Sequence, residues 1–478
     1  MNFKQVLRIV GFSLLLEGLA LLPPLLVALM FREDPAPFLK TMGLLLGCGL
    51  LLVFLKSGGD FYAREGFFTV GLIWILFGVF GALPFWFSGE FGSYVDCFFE
   101  SISGFTTTGA SILPDVERIS KGLLFWRSFT HWLGGMGVLV LTAALLPFLG
   151  ISSSHLIRAE SPGPVKSKLV PRTAQSSKIL YTIYLGLTIL QTVLLRIAGM
   201  PWFDAIVHAF GTAGTGGFGI KNNSVAYYQS PAIEIIFTVF LILFALNFTV
   251  YFLLLTGKVR QALASDELRF FLSLVALSSI LIAFNILPTF DSFGEAFRFA
   301  LFQVASIISS AGFSTADYDL WPEFSRMLLV LLMFIGACAG STGGGIKCSR
   351  ILILARSGFR EIRSIIHPRS VSVVRLDGVT LSEDTIRTTH VFFFLYFLVC
   401  FPAALIVGRD NFSFASTITA VVSCISNIGP GLEQVGPSGN YAAFSDISKL
   451  VLSFCMIVGR LEFFPILVLF SRNAWKRS

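Results

Sequence analysis

The chain has 478 residues, of which 55% are hydrophobic, 14% aromatic and only 13% charged. Soluble globular domains carry roughly a quarter of charged residues, so this composition excludes an ordinary soluble domain and predicts a polytopic membrane protein. The net charge of +7 does not indicate a nucleic-acid-binding protein. Its Lys and Arg residues concentrate in the segments on one side of the predicted membrane, as positive-inside topology requires.

Apolar stretches close to the length of a membrane-crossing helix recur along the chain and predict about ten transmembrane helices. The first stretch follows Lys4 and Arg8 as in a secretory signal, but no small-residue cleavage site follows it, which predicts an uncleaved span. The distribution of Lys and Arg predicts that both termini face the cytoplasm. The apolar stretches lie at residues 6–30, 42–55, 66–88, 122–150, 179–199, 232–256, 270–288, 327–339, 391–408 and 447–470.

A short motif of small and polar residues occurs four times between these stretches. Each copy contains one glycine, called here the anchor glycine, and the anchors are Gly109, Gly217, Gly312 and Gly429, which lie 108, 95 and 117 residues apart. A repeat at this period indicates four structural units of about a hundred residues. Small or polar residues also stand two, three and six positions before the anchors, namely Thr107, Thr215, Ser310 and Asn427, then Thr106, Gly214, Ser309 and Ser426, then Ser103, Gly211, Ser306 and Ser423.

The chemistry that this motif favours is cation coordination by backbone oxygens. Glycine reaches backbone angles that other residues avoid, so such a strand can turn its carbonyl oxygens toward one axis. Four strands around an axis would replace the water shell of a potassium ion, as the filters of potassium channels do. Small residues also permit close helix packing in membranes, but this alternative explains one such cluster better than four clusters in register.

The segment before the first motif is too short to cross the membrane. Tyr94 to Gly104 is apolar over about half the required length, which predicts a re-entrant helix whose irregular continuation lines water or is buried in protein. Each repeat is therefore predicted as a span, a half-crossing pore helix, an extended filter and a second span. The predicted division is two extra spans at 1–58, pore repeats at 59–150, 178–257, 258–357 and 384–478, and cytoplasmic segments at 151–177 and 358–383.

A glycine-rich segment interrupts the last apolar stretch of the third repeat. Four glycines within six residues form a poor helix interior, at about 1 kcal/mol each relative to alanine. The sequence predicts a flexible loop that lies across the pore below the filter and gates it. The other interpretation is a helix that ends at Gly340, followed by an ordinary cytoplasmic loop. The predicted gate residues here are Gly340, Ser341, Thr342, Gly343, Gly344, Gly345 and Lys347.

Two ionisable residues in apolar surroundings need an explanation. Arg460 lies inside the last span, and such residues are by default functional, so we expect Arg460 to repel a cation below the filter or to bind the carbonyls of the gate loop. The alternative is a structural ion pair, for which Glu462 is poorly placed because residues two apart do not share a helix face. His208 on the second pore helix is expected to have a packing or rim role rather than to relay protons.

The sequence does not predict an enzyme. It contains no paired carboxylates, no nucleophile motif and no histidine-rich cluster, and its seven scattered cysteines indicate neither a disulfide framework nor a zinc site. Residues 214–219 formally match a dinucleotide-binding motif, but a short apolar helix precedes them where that motif requires a strand. We therefore expect no organic cofactor in this chain.

Several longer motifs resemble a known family. The segments FFESISGFTTTGAS, HWLGGMGVLVL, SSAGFSTAD, GACAGSTGGGIK, SNIGPGL and VGRLEFFP are similar to those of the TrkH-type membrane subunit of the bacterial Trk/Ktr potassium-uptake family. The resemblance covers nearly the whole chain, including the two additional N-terminal spans.

This resemblance implies an all-α protein of the bacterial inner membrane with four repeats around one potassium-selective pore. It also implies a homodimer and a cytoplasmic nucleotide-binding regulatory subunit of the TrkA type. The family's pore-facing arginine corresponds to Arg460, and glycine at all four anchors favours potassium, since relatives with serine at the first anchor tend toward sodium. Filter carbonyls are implied at Thr107, Thr108, Gly109, Thr215, Gly216, Gly217, Ser310, Ala311, Gly312, Asn427, Ile428 and Gly429.

A secondary transporter is the second interpretation of the sequence. Such a symporter would bind its cation or solute between broken helices. The fourfold register of the anchor glycines argues against it, because transporters of that kind usually contain two repeats. The second motif, TAGTGGFG, contains more glycines than the other three. Its backbone is expected to be less rigid, which bears on how strictly the filter selects its ion.

Overall fold

The structure is a computed structural model that describes residues 2–55, 63–137, 173–370 and 372–470. Within these ranges the regular structure is helical except for one two-stranded hairpin. Among the residues that the structure describes, six helices are long and apolar enough to cross a membrane, or seven if one bent pair is counted as a span. The chain is thus an all-α polytopic membrane protein. Most of the predicted cytoplasmic segment 151–177 and the end of the stretch 122–150 lie outside the described residues.

The N-terminal helices pack against the first repeat. Pro23 and Pro24 lie in the first turn of the second helix, where a missing amide hydrogen costs nothing. The first and third helices approach closely at Gly11 and Gly49, since a Cβ on either would lie within 3.0 Å of the other's carbonyl oxygen. The helices as far as residue 137 are α1 (Phe3–Ala20), α2 (Leu22–Met30), α3 (Ala36–Val53), α4 (Ala63–Gly81), α5 (Leu83–Ser88), α6 (Tyr94–Phe105) and α7 (Lys121–Gly135).

The remaining helices continue the same pattern. A long helix, a short helix, an irregular stretch and a further helix follow each other in every repeat. The helices after residue 172 are α8 (Thr173–Ile197), α9 (Trp202–Ala213), α10 (Pro231–Ala245), α11 (Phe248–Leu255), α12 (Val259–Leu263), α13 (Asp266–Ile286), α14 (Phe293–Ile308), α15 (Glu323–Ile335), α16 (Cys348–Ile366), α17 (Glu383–Val407), α18 (Phe414–Ile425), α19 (Asp446–Arg460) and α20 (Phe464–Phe470).

The four repeats follow one another around a centre. The helix after each motif packs against the short helix of the next repeat: α7 on α9, α10 on α14, α15 on α18, and α19 back on α6. This order closes a cycle from the fourth repeat to the first. The N-terminal helices α1, α2 and α3 pack outside that cycle, against α4, α7 and α5.

Two stretches predicted as single spans are broken. The stretch 232–256 consists of α10 and α11, which are bent by 93°. Asn247 causes the second helix to begin there, because its side chain accepts the amide hydrogen of Thr249 at 2.9 Å as an N-cap. The stretch 447–470 is interrupted between α19 and α20, where Glu462 and Phe463 have positive φ.

The segment after α16 contains a short β-hairpin. Strand β1 (Arg375–Leu376) pairs antiparallel with β2 (Val379–Thr380). Asp377 and Gly378 connect them with φ of 50° and 76°, the sign that a tight two-residue hairpin turn requires. The hairpin lies between α16 and the long helix α17.

Candidate cation filter and gate

Each of the four motifs begins where one of the short helices ends. Helices α6, α9, α14 and α18 are 12, 12, 16 and 12 residues long, each shorter than the roughly 20 residues that a span needs. Their C-terminal ends carry partial negative charge from the aligned peptide dipoles. The predicted pore helices therefore direct a potential that attracts cations toward the motifs.

All four motifs have the same pattern of backbone angles, in which two residues with positive φ are separated by one without it. The residues two before the anchors have φ between 54° and 62°, and the anchors themselves have φ between 76° and 98°. Threonine, serine and asparagine rarely adopt such angles, and strained conformations of this kind occur mainly at functional sites. The strained residues are Thr107, Thr215, Ser310 and Asn427.

One hydrogen bond fixes the same turn in every motif. The amide of the residue before the anchor donates to the carbonyl of the residue six before the anchor, at 2.8 to 2.9 Å. This bond ends the helix and directs the chain into the extended strand. The four donor–acceptor pairs are Thr108 to Ser103, Gly216 to Gly211, Ala311 to Ser306 and Ile428 to Ser423.

The anchor glycines bring the four motifs together in a closed ring. A Cβ built on each anchor would overlap the backbone oxygen of the residue that precedes the next anchor. For Gly429 that atom is the carbonyl oxygen of Thr108, at 2.7 Å, so the fourth motif meets the first. The other overlapping pairs are Gly109 with Gly216, Gly217 with Ala311, and Gly312 with Ile428.

Contacts between successive repeats continue beyond the ring. The links from the first repeat to the second involve charged groups: Asn222 bonds to Asp115, and Lys221 pairs with Glu117 at 3.1 Å. The bond from Asn222 holds the pKa of Asp115 below its ordinary value, and the bond to Glu117 raises the pKa of Lys221. Links between the later repeats include the bonds from Ala226 N to Ser314 O, from Tyr318 Oη to Gly431 O, and from Tyr441 N to Ser111 O.

A buried ion pair supports the first and second motifs from behind. Glu100 on α6 pairs with Arg127 on α7, and both side chains are 3% exposed or less. The carboxylate also accepts the amide of Ile112 at 3.0 Å, while Arg127 donates to the carbonyl of Gly219 at 2.9 Å. The sequence does not reveal this pair, because 27 residues separate its members and no spacing links Glu100, within FFESISGFTTTGAS, to Arg127.

The glycine-rich loop lies against one end of the ring. Helix α15 ends at Ile335, earlier than the predicted interruption, and the loop continues to Lys347. The amide of Gly344 donates to Ser310 Oγ at 2.6 Å. A Cβ on Gly343 would lie 2.6 Å from the carbonyl oxygen of Ser309, so only glycine allows this approach.

Arg460 connects the loop, the ring and α7. Its guanidinium donates to the carbonyl of Thr342 in the loop at 2.8 Å, to Thr107 Oγ1 at 3.3 Å, and to the carbonyls of Gly134 and Gly135. Glu462 forms an ion pair with Arg350 on α16. The structure therefore places Arg460 beside both the predicted gate and the strained Thr107.

The base of the loop is held by a carboxylate that the sequence analysis missed. Glu267 Oε1 on α13 accepts the amides of Ala339 and Ser349, at 2.7 and 2.9 Å. These two residues flank the predicted gate on either side. Lys347 is buried and donates to the carbonyl of Gly343, so the loop also binds itself.

His208 lies behind the second motif. Its ring is buried and packs against the rings of Phe237 and Phe313. Its Nδ1 bonds to the carbonyl of Asp204 at 2.8 Å. These contacts agree with the packing role that the sequence predicts.

These features define a polytopic membrane protein with four similar repeats arranged around one centre. The family model for TrkH, described as a cation transport protein, matches residues 38–477. The chain belongs to this family.

Similar proteins cover the whole chain. It is 40% identical to the Trk system potassium uptake protein TrkH of Vibrio parahaemolyticus and 39% identical to that of Escherichia coli, over 100% of both chains in each case. TrkG of Escherichia coli is 37% identical over 99% of each chain. The crystal structure of the potassium transporter TrkH from Vibrio parahaemolyticus matches with a TM-score of 0.89 and 37% identity, over 100% of each chain.

Proposed function

We propose that this protein takes up potassium ions across the bacterial inner membrane through a filter formed by the four motifs. The relatives named as potassium uptake proteins support the choice of ion. Both termini face the cytoplasm, and the chain divides into two extra N-terminal spans and four pore repeats. The filter carbonyls are those of the anchors and of the two residues before each anchor.

The observation that carries this proposal is the closed ring. Each anchor glycine lies against the carbonyl oxygen that precedes the next anchor, and the order of contacts returns from Gly429 to Thr108. Carbonyl rings of this kind replace the hydration shell of a potassium ion. The C-terminal ends of four short helices add a potential that favours a cation.

The loop 340–347 and Arg460 form the gate. The hydrogen bonds of the loop to Ser310 and of Arg460 to Thr107 and Thr342 support this proposal, because they hold the loop and Arg460 against one end of the ring. The positive charge of Arg460 opposes the entry of a cation into the space it occupies. Conduction therefore requires that the loop and this side chain move aside.

A cytoplasmic nucleotide-binding subunit of the TrkA type controls the gate, and the protein forms a homodimer. Helix α16 begins directly after the loop and extends to a basic region in which Arg363 and Arg369 are exposed. A partner that binds this region could shift the loop through α16. Charged surface groups of this kind steer acidic partners.

The test is cation flux into proteoliposomes, with potassium and sodium compared for the natural sequence, Gly109→Ser and Gly89→Ser. Both glycines have left-handed backbone angles, with φ of 79° and 71°, but a Cβ on Gly89 meets nothing within 4 Å. We expect Gly109→Ser to lower the preference for potassium, because its side chain displaces the carbonyl of Gly216. Gly89→Ser should keep the preference of the natural protein.

Two results would contradict this assignment. Equal passage of potassium and sodium through the natural protein would exclude a potassium-selective filter. Unchanged selectivity in Gly109→Ser would place the selective site elsewhere. A protein that moves neither ion alone would be measured again with its cytoplasmic subunit bound.

A secondary transporter remains the second candidate, and the bend of 93° between α10 and α11 is the observation that favours it. Phe248 at this bend bonds to Gly340 of the loop, so two broken helices meet as in transporter binding sites. Flux that requires a proton or sodium gradient would support this candidate. Passive potassium flux down its own gradient would support the filter.

A further inference from the structure

The second motif differs from the other three at the position before its anchor. Thr108, Ala311 and Ile428 stand at this position in the first, third and fourth motifs, whereas the second has Gly216. The φ angle of Gly216 is not in the left-handed region. Its backbone conformation therefore does not require glycine, and another cause must exclude a side chain.

That cause is the ring of His131. A Cβ on Gly216 would lie 2.5 Å from Cγ and Nδ1 of His131 and 2.6 Å from its Cδ2. Real Cβ atoms do not approach other atoms so closely, so the imidazole occupies the space that a side chain fills in the other motifs. The ring comes from α7, which belongs to the first repeat.

The imidazole is held in a fixed orientation. Its Nδ1 lies 2.8 Å from the carbonyl oxygen of Gly104 at the end of α6. Its face stacks on Phe218, the residue after the second anchor, with ring centroids 4.2 Å apart. The side chain is completely buried, and Arg127, one helical turn earlier on α7, contacts the same phenylalanine ring at 3.5 Å.

The position of His131 affects the contact between the first and second motifs in the ring of carbonyls. Gly216 supplies the oxygen that lies against Gly109, so a shift of Gly216 alters the contact between the first and second motifs. A glycine-rich strand has more backbone freedom than the other three motifs. The imidazole restricts that freedom from outside the strand.

We propose that His131 is a positioning residue that determines ion selectivity, a role that rests on the proposed function above. Its ring replaces the missing side chain of the second motif and keeps the carbonyl of Gly216 directed toward the ion path. The space between Gly216 and His131 can hold only one group. Either residue 216 carries a side chain or residue 131 carries a ring, because the two would overlap.

The experiment compares potassium and sodium flux in proteoliposomes for four proteins: the natural sequence, His131→Ala, Gly216→Ala and the double variant. We expect His131→Ala to lower the potassium preference by about tenfold, because small displacements of coordinating groups have large effects. Gly216→Ala should lose potassium flux because its methyl group meets the ring. In the double variant the methyl group has room, as that of Ala311 does, so flux and selectivity should partly return.

Two further variants separate the role of the ring from folding. His131→Asn can keep the hydrogen bond to Gly104 but lacks the ring that packs on Gly216 and Phe218. We expect it to fold and to lose selectivity. His390→Asn is the control, because this exposed histidine bonds through Nδ1 to the carbonyl of Ile386 on its own helix, at 2.9 Å.

The outcomes distinguish this inference from the proposed function. If the natural protein prefers potassium and Gly109→Ser does not, but His131→Asn and His131→Ala retain full selectivity, the inference alone is wrong. Equal damage by Gly216→Ala with and without His131 would also overturn it. If the natural protein shows no potassium preference, the proposed function fails, and the role of His131 fails with it.

Discussion

The charged side chains of Glu100 and Arg127, next to the proposed filter, stabilise one another, and this makes single substitutions costly. Glu100 and Arg127 are buried together, and the bonds of the pair reach Ser111, Ile112 and Gly219. Removing one partner of a buried ion pair leaves the other charge without compensation. The pair therefore matters more for the position of the filter than for net stability.

We expect Arg127→Met to destabilise the protein by about 3–5 kcal/mol, because the carboxylate of Glu100 remains buried without its cation. The double variant Glu100→Gln with Arg127→Met should be less destabilised than Arg127→Met alone. In that protein no charge is buried at this site, and the amide oxygen of the new glutamine can accept the bond from Ile112. Thermal unfolding of the purified protein in detergent measures both effects.

Arg387 provides the matched control. It forms an ion pair with Asp384, and the two side chains are 78% and 85% exposed. Surface pairs of this kind contribute about 0–1 kcal/mol, so Arg387→Met should unfold close to the natural protein. Equal losses in Arg127→Met and in the double variant would mean that packing, and not charge, determines the effect.

At the scale of residues, the sequence indicates the four motifs but not the side chains that hold them in place. The anchors and the small residues before them stand out because they repeat in register. His131, Arg127 and Glu267 each act on residues that are distant in sequence, and no spacing marks such contacts. The glycine at position 216 was the one available signal, since a missing side chain in one of four equivalent positions implies that something else fills the space.

At the scale of elements, the structure differs from the sequence prediction in where helices break. The glycine-rich interruption of the third repeat was predicted, but those at Asn247 and at Glu462 were not. Both occur within apolar stretches. One capping residue is enough to break the first helix, and two residues with positive φ are enough to break the second. Hydropathy averages over such local features, so a broken helix and a straight one have the same profile.

The proposed gate loop is held at its base by the hydrogen bonds of Glu267. We expect Glu267→Ala to loosen the loop, because both bonds to Ala339 and Ser349 are lost. Hydrogen bonds to charged groups contribute about 1.5–3 kcal/mol each, so local opening should become easier by roughly 3 kcal/mol. Hydrogen exchange of the peptide covering residues 336–349 should accelerate by about a hundredfold, and basal potassium flux should rise.

Glu267→Gln should have an intermediate effect. Both amides bond to the same carboxylate oxygen, Oε1, and the amide oxygen of glutamine can still accept them as a neutral group. Glu323→Ala is the control, because this glutamate at the start of α15 is 70% exposed and pairs with Arg326. Unchanged exchange in Glu267→Ala would show that the other bonds of the loop, such as those to Arg460, Ser310 and Phe248, hold it without Glu267.

At the scale of the whole molecule, four units around one axis were predictable, but the contacts that close the ring were not. The period of the anchors indicates four units, but only the three-dimensional contacts connect Gly429 to Thr108 and Tyr441 to Ser111. These contacts span more than three hundred residues. Each repeat completes its part of the ring with atoms of the next, so no single repeat contains a complete site.

A site built from all four repeats should stabilise the whole molecule when an ion fills it. An ion that binds the native state and not the unfolded chain stabilises it by about 2.7 kcal/mol at a hundred times its dissociation constant. We therefore expect potassium to raise the midpoint of thermal unfolding in detergent, relative to N-methylglucamine at equal ionic strength. Sodium should have a smaller effect, because the proposed filter prefers potassium.

The increase should depend on the ring and not on general ionic effects. Gly109→Ser disturbs the contact with Gly216 and should unfold at the same temperature in potassium and in N-methylglucamine, whereas Gly89→Ser should keep the full difference. Charged links such as that of Lys221 with Glu117 are exposed and are screened by any salt, so they cannot produce a difference between the two monovalent cations. A potassium effect that persists in Gly109→Ser would therefore assign the ion to a site outside the four motifs.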